Sequence, residues 1–266
     1  MKRNLLAMLL AAAILSGPGE AGTSGAAFAD AVRIRTYTDT SVGGALRVPA
    51  EAAENVCFRI TAEPVKGQTV VYEDGSFVYT PRAGKTGEDS FYYQVSDGTG
   101  RLFSEESVRI HIEEQKTGAR YGDMQGRAEA YAAALLSSRG LFTGEQVAGC
   151  FCFAPEKPVT RGEFLSICME LSGKPLLSAA CSTGFADDEA IPAWMKTYVL
   201  SASLSGAELH RGESFCQDEP IPYAEAADLV RQTLGVRAGC PERPDTPLTR
   251  AEMALLLLPV LTEAAG

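Results

Sequence analysis

The chain has 266 residues, of which 45% are hydrophobic, and its formal net charge is -10. This length and composition are enough for one or two hydrophobic cores and favour two small domains over a large enzyme. The acidic balance argues against nucleic acid as a partner, because contact with phosphates requires a basic surface.

The chain begins with MKRNLLAMLLAAAIL, a basic start followed by a short apolar run that ends at the GPG of residues 17–19. An A-x-A site follows at residues 27–29, so residues 1–29 are predicted to be a signal peptide that is removed on export. Its removal leaves 22 basic and 33 acidic residues, a net charge of -11. An uncleaved N-terminal anchor is the alternative. No later apolar segment is long enough to span a bilayer, so no membrane span is expected after cleavage.

Seven cysteines allow at most three disulfides and leave at least one unpaired thiol in the monomer. They are Cys57, Cys150, Cys152, Cys168, Cys181, Cys216 and Cys240. Cys150 and Cys168 lie in apolar surroundings, where a free cysteine behaves as a small hydrophobic residue. We therefore expect most of the cysteines to be structural free thiols, and we allow for one or two disulfide bridges.

Residues 32–114 alternate between apolar and polar side chains with a period of two. Val108, Ile110 and Ile112 alternate with polar residues in one segment, and Phe91 and Tyr93 do so in another. This period is typical of half-buried antiparallel strands. Short turn segments rich in Gly, Asp and Pro separate the strands at the spacing expected of a sandwich. The sequence therefore predicts a small all-β domain that folds on its own.

The stretch from residue 72 to 100, YEDGSFVYTPRAGKTGEDSFYYQVSDGTG, resembles the bacterial immunoglobulin-like and cadherin-like repeats of surface proteins. The resemblance implies a spacer or adhesive module that contacts other surface proteins, without catalysis. Some cadherin-like relatives bind Ca²⁺, and Asp74, Glu88, Asp89 and Asp97 are the carboxylates available here. Acidic residues in turns more often accept hydrogen bonds from the backbone, so we expect no metal site.

After a linker at residues 115–120, the apolar period changes to that of an α-helix. Similar apolar faces follow Thr160, Pro222 and Thr249, which indicates three equivalent helices and an internal repeat. The segments TRGE and TRAE at the first and third starts fit a capping box, in which Thr and Glu satisfy backbone donors. A capping box does not explain the arginine that both segments contain, Arg161 and Arg250.

The repeat has the order F-x-D, Gly-bearing loop, F-x-P and T-R-x-E, and it resembles the S-layer homology (SLH) domain. The first unit spans residues 121–175, the second 185–235, and a truncated third 245–263. The segments that carry the resemblance are YGDM, GLFTG, FAP and TRGEF in the first unit, FADD, Trp194, Tyr198, LSG and PYAE in the second, and TRAE in the third. The second unit has Tyr223 in place of the arginine, and the third lacks its first helix and loop. At least one groove is therefore expected to be inactive.

This resemblance implies a pseudo-threefold helix bundle whose grooves hold cell-wall polysaccharide that carries a pyruvate ketal. It assigns the glycan-binding role to Arg161, Arg250, Asp123, Gly140, Gly144 and Trp194. A guanidinium can bind a sugar carboxylate through two charge-assisted hydrogen bonds. Asp123 is expected to orient the loop or to accept sugar hydroxyls.

The predicted protein is multidomain, with an all-β immunoglobulin-like sandwich followed by an all-α SLH region. Its expected function is non-catalytic: anchored to the wall by the SLH units, it displays the sandwich at the cell surface. A helical region that has lost glycan binding and serves as a structural or docking module is the alternative. His111 and His210 match no nucleophile or metal motif, and Cys150-x-Cys152 has no second pair, so neither a cofactor nor a catalytic residue is expected.

Overall fold

The computed structural model describes residues 31–52, 56–178, 182–209, 213–237 and 243–263. The predicted signal peptide, His210, Cys181 and Cys240 lie outside these residues. Within the described ranges, seven strands form an N-terminal β-sandwich, and five α-helices with a short hairpin form the C-terminal region. None of the helices in these ranges combines the length and apolarity needed to cross a membrane.

The sandwich consists of a four-stranded and a three-stranded sheet. Its strands are β1 (Val32–Tyr37), β2 (Val42–Ala45), β3 (Val56–Ala62), β4 (Gly67–Val71), β5 (Ser76–Pro81), β6 (Gly87–Asp97) and β7 (Leu102–Glu113). The first sheet has the order β1-β7-β6-β3, in which β1 pairs with β7 in parallel, and the second has the order β2-β5-β4.

The predicted alternation of the strands is confirmed. Phe91, Tyr93, Val108 and Ile110 are fully buried between the sheets, whereas Tyr92 points outward and is 48% exposed. Phe77 of the second sheet packs edge to face on Phe91, with ring centroids 5.3 Å apart. Alternating side chains of both sheets thus build one core, as in other sandwiches.

The turn carboxylates of the sandwich accept hydrogen bonds from nearby backbone groups. Asp74 accepts from the backbone N–H of Ser76, and Asp97 accepts from those of Thr99 and Arg101. In the described part of the chain, no group of three or more His, Cys, Asp or Glu side chains converges as metal ligands would. The five cysteines described there, Cys57, Cys150, Cys152, Cys168 and Cys216, are free thiols.

The helical region contains α1 (Ala130–Ser138), α2 (Arg161–Ser172), α3 (Ala193–Leu204), α4 (Tyr223–Leu234) and α5 (Arg250–Glu263). A hairpin of β8 (Glu145–Val147) and β9 (Cys150–Cys152) follows α1. The capping boxes predicted at α2 and α5 are both present, because each Thr and Glu exchange hydrogen bonds with the other's backbone N–H. Helix α1 packs against α5, and α3 packs against α2.

Pro259 does not end helix α5, although a proline in a helix interior removes one hydrogen bond and commonly breaks or kinks a helix. Helix α5 continues through Pro259 to Glu263. Leu257 and Leu261 are fully buried on either side of the proline, so packing holds this last turn in place. The Arg139 guanidinium also donates a hydrogen bond to the Leu261 carbonyl near the helix end.

A closed ring of backbone hydrogen bonds joins the segments that precede α2, α4 and α5. Val159 donates to Leu248 (2.9 Å), Leu248 to Ile221 (2.8 Å) and Ile221 to Val159 (3.0 Å). All three side chains are fully buried. The three helix starts therefore meet at one point and hold one another.

A second set of bonds, at the first residue of each helix, joins the same three segments in the opposite cyclic direction. Arg161 donates to Glu219, Tyr223 to Thr246 and Arg250 to Lys157, each at 2.9 Å. The N–H groups at a helix start have no partner within the helix. Here a backbone carbonyl of a neighbouring segment accepts the first N–H of each helix.

The sandwich is packed directly against the helical region. Gly43 of β2 donates a backbone hydrogen bond to Ala128 (2.9 Å), and the Ser41 hydroxyl accepts one from Gly126 (3.0 Å). Tyr37 and Tyr131 pack edge to face with ring centroids 5.2 Å apart. The predicted linker is therefore a short connection beside this joint.

An isolated fragment of residues 31–114 is expected to fold as a sandwich but to melt at a lower temperature than the same domain in the full chain. Its core lies between its own sheets, whereas Gly43 and Tyr37 lose their partners in the helical region. Far-UV circular dichroism with thermal melting of both proteins measures this. A disordered fragment would contradict the predicted independence of the domain.

Candidate glycan-binding site

Two phenylalanines, Phe153 and Phe215, occupy equivalent positions in the first and second units and are held in the same way. Asp123 accepts the backbone N–H of Phe153 (2.9 Å), and Asp187 accepts that of Phe215 (2.8 Å). Each aspartate uses its second oxygen for the next residue along the chain. Asp123 thus holds the backbone of the segment that follows β9.

The carbonyl groups of the same phenylalanines accept hydrogen bonds from the two arginines. Arg161 donates to the Phe215 carbonyl (3.3 Å), and Arg250 donates to that of Phe153 (3.0 Å). Each arginine lies in a different unit from the phenylalanine that it holds. The arginine of the repeat therefore fixes the loop of a neighbouring unit.

The Arg161 cluster consists of Arg161, Glu225, Glu219 and the carbonyls of Phe215 and Cys216. Arg161 Nε and Nη2 bind the two carboxylate oxygens of Glu225 at 2.7 and 3.1 Å, and Nη1 binds Cys216 O at 3.0 Å. The Arg161 side chain is only 5% exposed. Its nitrogens already have partners within the protein, so a bound sugar would have to displace one of them.

Glu225 can bind Arg161 because it is not needed as a helix cap. Its counterparts, Glu163 and Glu252, accept the backbone N–H of the threonine that precedes each helix. Pro222 takes the place of that threonine, and proline has no N–H to donate. The Glu225 carboxylate is therefore available to the neighbouring unit.

The Arg250 cluster consists of Arg250, Glu145, Lys157 and Phe142. Arg250 Nη2 and Lys157 Nζ both donate to the same oxygen of Glu145, at 3.0 and 2.5 Å. The Arg250 guanidinium also lies over the Phe142 ring, 4.8 Å from its centroid, which is a cation–π contact. Two cations share one carboxylate here, so the cluster carries an excess positive charge.

The Arg250 and Arg161 side chains are equally buried, each 5% exposed, but the carboxylate partner of Arg250 is more exposed than the Glu225 partner of Arg161. Arg250 Nε is buried and has no hydrogen-bond partner, and a buried donor without a partner is costly. Glu145 is 41% and Lys157 54% exposed in their side chains. Hydrogen bonds from Lys157, followed by those from Arg250, lower the pKa of Glu145, which keeps its carboxylate ionised.

Two predicted glycines shape the loop that carries Phe142. Gly140 and Gly144 both have positive φ, 70° and 69°. A side chain at Gly144 would place its Cβ 2.3 Å from the Cys152 carbonyl oxygen. Gly144 therefore permits the close approach of the loop to β9 and the placement of Glu145 beside Arg250.

Trp194 lies on a different element, in the first turn of α3, and its side chain is largely in solvent. It is 60% exposed and packs edge to face with Tyr198, with ring centroids 6.2 Å apart. The Tyr198 hydroxyl binds Glu170 at 2.5 Å. Trp194 offers an aromatic face, but the contacts of the structure do not connect it to either arginine.

The second unit lacks the motif arginine, and the third unit lacks the phenylalanine that such an arginine would hold. Tyr223 occupies the position of Arg161 and Arg250, and the sequence contains no phenylalanine after Phe215. The phenylalanine whose carbonyl each motif arginine holds therefore has no counterpart of the same type in the third unit.

The side chains of α4 also match the absence of a first helix in the third unit. Leu165 and Met169 of α2 are buried apolar residues, and α2 packs against α3. The equivalent residues of α4 are Ala227, which is half-buried, and Arg231, whose side chain is 54% exposed. This face of α4 is suited to water and has no large apolar side chain for a missing helix to cover.

Of the predicted residues, the structure brings Arg250, Asp123, Gly140 and Gly144 together around the loop of the first unit, while Arg161 and Trp194 lie at the second. Sequence reasoning missed Glu145, Glu225 and Phe142. Pro222 was the available signal for Glu225, because a proline leaves that glutamate without a backbone donor to cap.

Comparison with known families identifies the N-terminal part of the chain. The family "Bacterial Ig domain" matches residues 25–111. The match ends there and does not extend into the helical region. None of the curated proteins is significantly similar to the chain in sequence.

Similar solved structures include glycan hydrolases and small β-domains. The endo-fucoidan hydrolase MfFcnA4 of glycoside hydrolase family 107 is 16% identical with a TM-score of 0.27, and the match covers 36% of this chain but only 14% of that enzyme. The PKD domain of the KIAA 1837 protein is 18% identical with a TM-score of 0.25, covering 38% of this chain and 99% of that domain. The fibronectin(III)-like modules of Clostridium thermocellum CbhA are 14% identical with a TM-score of 0.20, covering 32% and 92%. The family match and the seven strands together make the N-terminal part of this chain a bacterial immunoglobulin-like domain.

Proposed function

We propose that this protein is a non-catalytic cell-surface protein that attaches to cell-wall polysaccharide through its helical region and displays the immunoglobulin-like domain. The observation that carries the proposal is the Arg250 cluster, in which two cations from two different units converge on one half-exposed carboxylate. An acidic substituent of a wall glycan, such as a pyruvate ketal, would replace Glu145 between Arg250 and Lys157.

The helical region is proposed to be a pseudo-threefold bundle of SLH type. Three features support this: the ring of hydrogen bonds through Val159, Ile221 and Leu248, the two capping boxes, and the paired clamps on Phe153 and Phe215. Equivalent contacts recur between the units: the hydrogen bonds of the ring run in one cyclic direction, and the arginine clamps run in the other. The third unit takes part through its helix start and through the packing of α5 against α1.

The proposed location is outside the cell, on the wall. It follows from the predicted signal peptide and from the immunoglobulin-like domain, whose family is named as bacterial. Other surface proteins are proposed partners of that domain. No cofactor is proposed; His111 is paired with Glu88 and Glu113.

Replacing Lys157 with alanine is expected to weaken binding of the full chain to wall polysaccharide about fivefold, as for the loss of one exposed ionic contact. Replacing Glu145 with glutamine is expected to strengthen binding, because it frees both cations. Sedimentation with isolated cell wall, with and without its acidic substituents, measures both effects. Lys116→Ala, which removes an exposed lysine beside the sandwich, is the matched control and should bind like the unchanged protein.

The alternative function is a scaffold or docking module that no longer binds sugar. The fully partnered guanidinium of Arg161 favours it, because that group is occupied in holding two units together. Equal wall binding by the Lys157 and Glu145 variants, together with no effect of removing the acidic substituents, would support this alternative.

A further inference from the structure

The outer face of the four-stranded sheet carries arginines on two adjacent strands. Arg33 and Arg35 of β1 point outward, and in the parallel register they lie beside Arg109 and His111 of β7. Adjacent strands are about 4.8 Å apart. Like charges placed directly opposite each other destabilise a sheet, so this arrangement is not explained by stability of the domain.

The two pairs differ in their acidic neighbours. His111 binds Glu88 at 2.5 Å, and Arg35 lies 3.7 Å from Glu113, so each member of that pair has a carboxylate beside it. Arg33 and Arg109 form no ion pair with any residue that the structure describes. The neighbour of Arg109 on β6 is Ser90, a neutral hydrogen-bonding side chain.

A depression of about 800 Å³ on the surface of the sandwich is lined by Arg33, Arg35, Arg109, His111, Glu88 and Ser90. Lys66 lies at its rim and adds a further positive charge. The carboxylate of Asp89 also belongs to the depression, but it is buried and accepts hydrogen bonds from Val65, Lys66 and Tyr79. The depression is thus locally basic in a chain of net charge -10.

One aromatic side chain continues the same row. Tyr92 of β6 points outward beside Ser107, two residues from Ser90 along the strand, and is 48% exposed. Two residues along a strand span about 6.7 Å. Tyr92 lines the same depression as Arg33 and Arg109, so its ring provides a surface on which a sugar ring can pack while the anionic group reaches the arginines.

We propose that this depression binds an anionic polysaccharide, with Arg33 and Arg109 holding a carboxylate, phosphate or sulfate group and Tyr92 packing against a sugar ring. Charge complementarity and the neighbouring ring together favour an acidic glycan over an acidic protein or a simple polyanion. The site lies on the immunoglobulin-like domain, so it does not depend on the function of the helical region.

The test uses the full chain and polygalacturonate, a polymer with one carboxylate on each sugar, at low ionic strength. The variant R33Q/R109Q is expected to bind about tenfold more weakly, as for the loss of two exposed charged contacts. R59Q/R101Q removes the same charge from exposed positions outside the depression and should bind within about twofold of the unchanged chain. Neither variant should melt at a lower temperature than the unchanged chain, because all four side chains are exposed and R33Q/R109Q removes two opposed like charges.

Two further probes separate charge from glycan recognition. Y92A is expected to weaken binding of polygalacturonate but not of long-chain polyphosphate, which has no sugar ring. Methyl-esterified polygalacturonate, which lacks the charge, should not bind. Three outcomes would each overturn the proposal. The two double variants could weaken binding equally, the methyl ester could bind as tightly as the acid, or polyphosphate alone could bind. Failure of polygalacturonate to bind the unchanged chain would overturn it as well.

Discussion

Replacing Arg161 with alanine is expected to lower the free energy of unfolding of the full chain by about 3–5 kcal/mol, the range for breaking a buried ion pair by removing one partner. The Arg161 side chain is 5% exposed, and its loss leaves the Glu225 carboxylate and the Phe215 and Cys216 carbonyls without its donors. Urea denaturation followed by circular dichroism measures the change.

Two variants serve as controls for the Arg161 result. Glu163→Ala removes only a capping contact of the same helix and should cost about 1 kcal/mol or less. Arg231→Ala removes an exposed arginine of α4 that pairs with Asp228 and should change stability by less than about 0.5 kcal/mol. A loss below about 1 kcal/mol for Arg161→Ala would show that its internal partners contribute little, and would return this arginine to the candidates for direct sugar contact.

Replacing Asp89 with alanine is expected to destabilise the sandwich by about 3 kcal/mol or more, because hydrogen bonds to charged groups contribute about 1.5–3 kcal/mol each. Its buried carboxylate accepts the N–H groups of Val65 and Lys66 and the hydroxyl of Tyr79 at 2.7 Å. Burial, and then the hydrogen bond from the phenol to Asp89, raise the pKa of Tyr79 well above its ordinary value, so the phenol remains a donor. Thermal melting of the full chain and its variant measures the loss.

Asp97→Ala is the matched control for Asp89, since Asp97 accepts hydrogen bonds only within an exposed turn, from Thr99 and Arg101. We expect it to cost about 1 kcal/mol. A chelator should leave the melting temperature of the unchanged protein as it is, because the carboxylate oxygens of Asp89 already bind the chain's own donors. If a chelator lowered the melting temperature of the unchanged protein as much as Asp89→Ala does, that result would instead indicate a bound cation.

The local features of this fold could be predicted from the sequence, because each depends on a few adjacent residues. The alternation around Phe91 and Val108 determines which side of a strand is buried, and the Thr and Glu of the capping boxes determine where α2 and α5 begin. The equivalence of Asp123 and Asp187 was visible from their spacing. Both bind the loop of their own unit in the same way.

The contacts between units could not be predicted, since they depend on how distant segments meet. The sequence placed Arg161 and Arg250 at equivalent positions, but their carboxylate partners come from different elements: Glu225 in α4 and Glu145 in β8. The continuation of α5 beyond Pro259 likewise depends on burial of Leu257 and Leu261 in the packed bundle. A local rule for proline does not contain that information.

The packed joint at Gly43 and Ala128 affects how tightly two surfaces that each bind weakly, the outer sheet face and the Arg250 cluster, can together hold one polymer. A flexible tether lets a second contact form at many separations, whereas a packed joint fixes the separation and the relative direction of the two surfaces. The hydrogen bond between these residues and the Tyr37–Tyr131 contact give this protein a packed joint. Avidity for a strand that touches both the outer sheet face and the Arg250 cluster would then depend on strand length and stiffness. The protein would distinguish a long wall polymer from its fragments without a change in any individual contact.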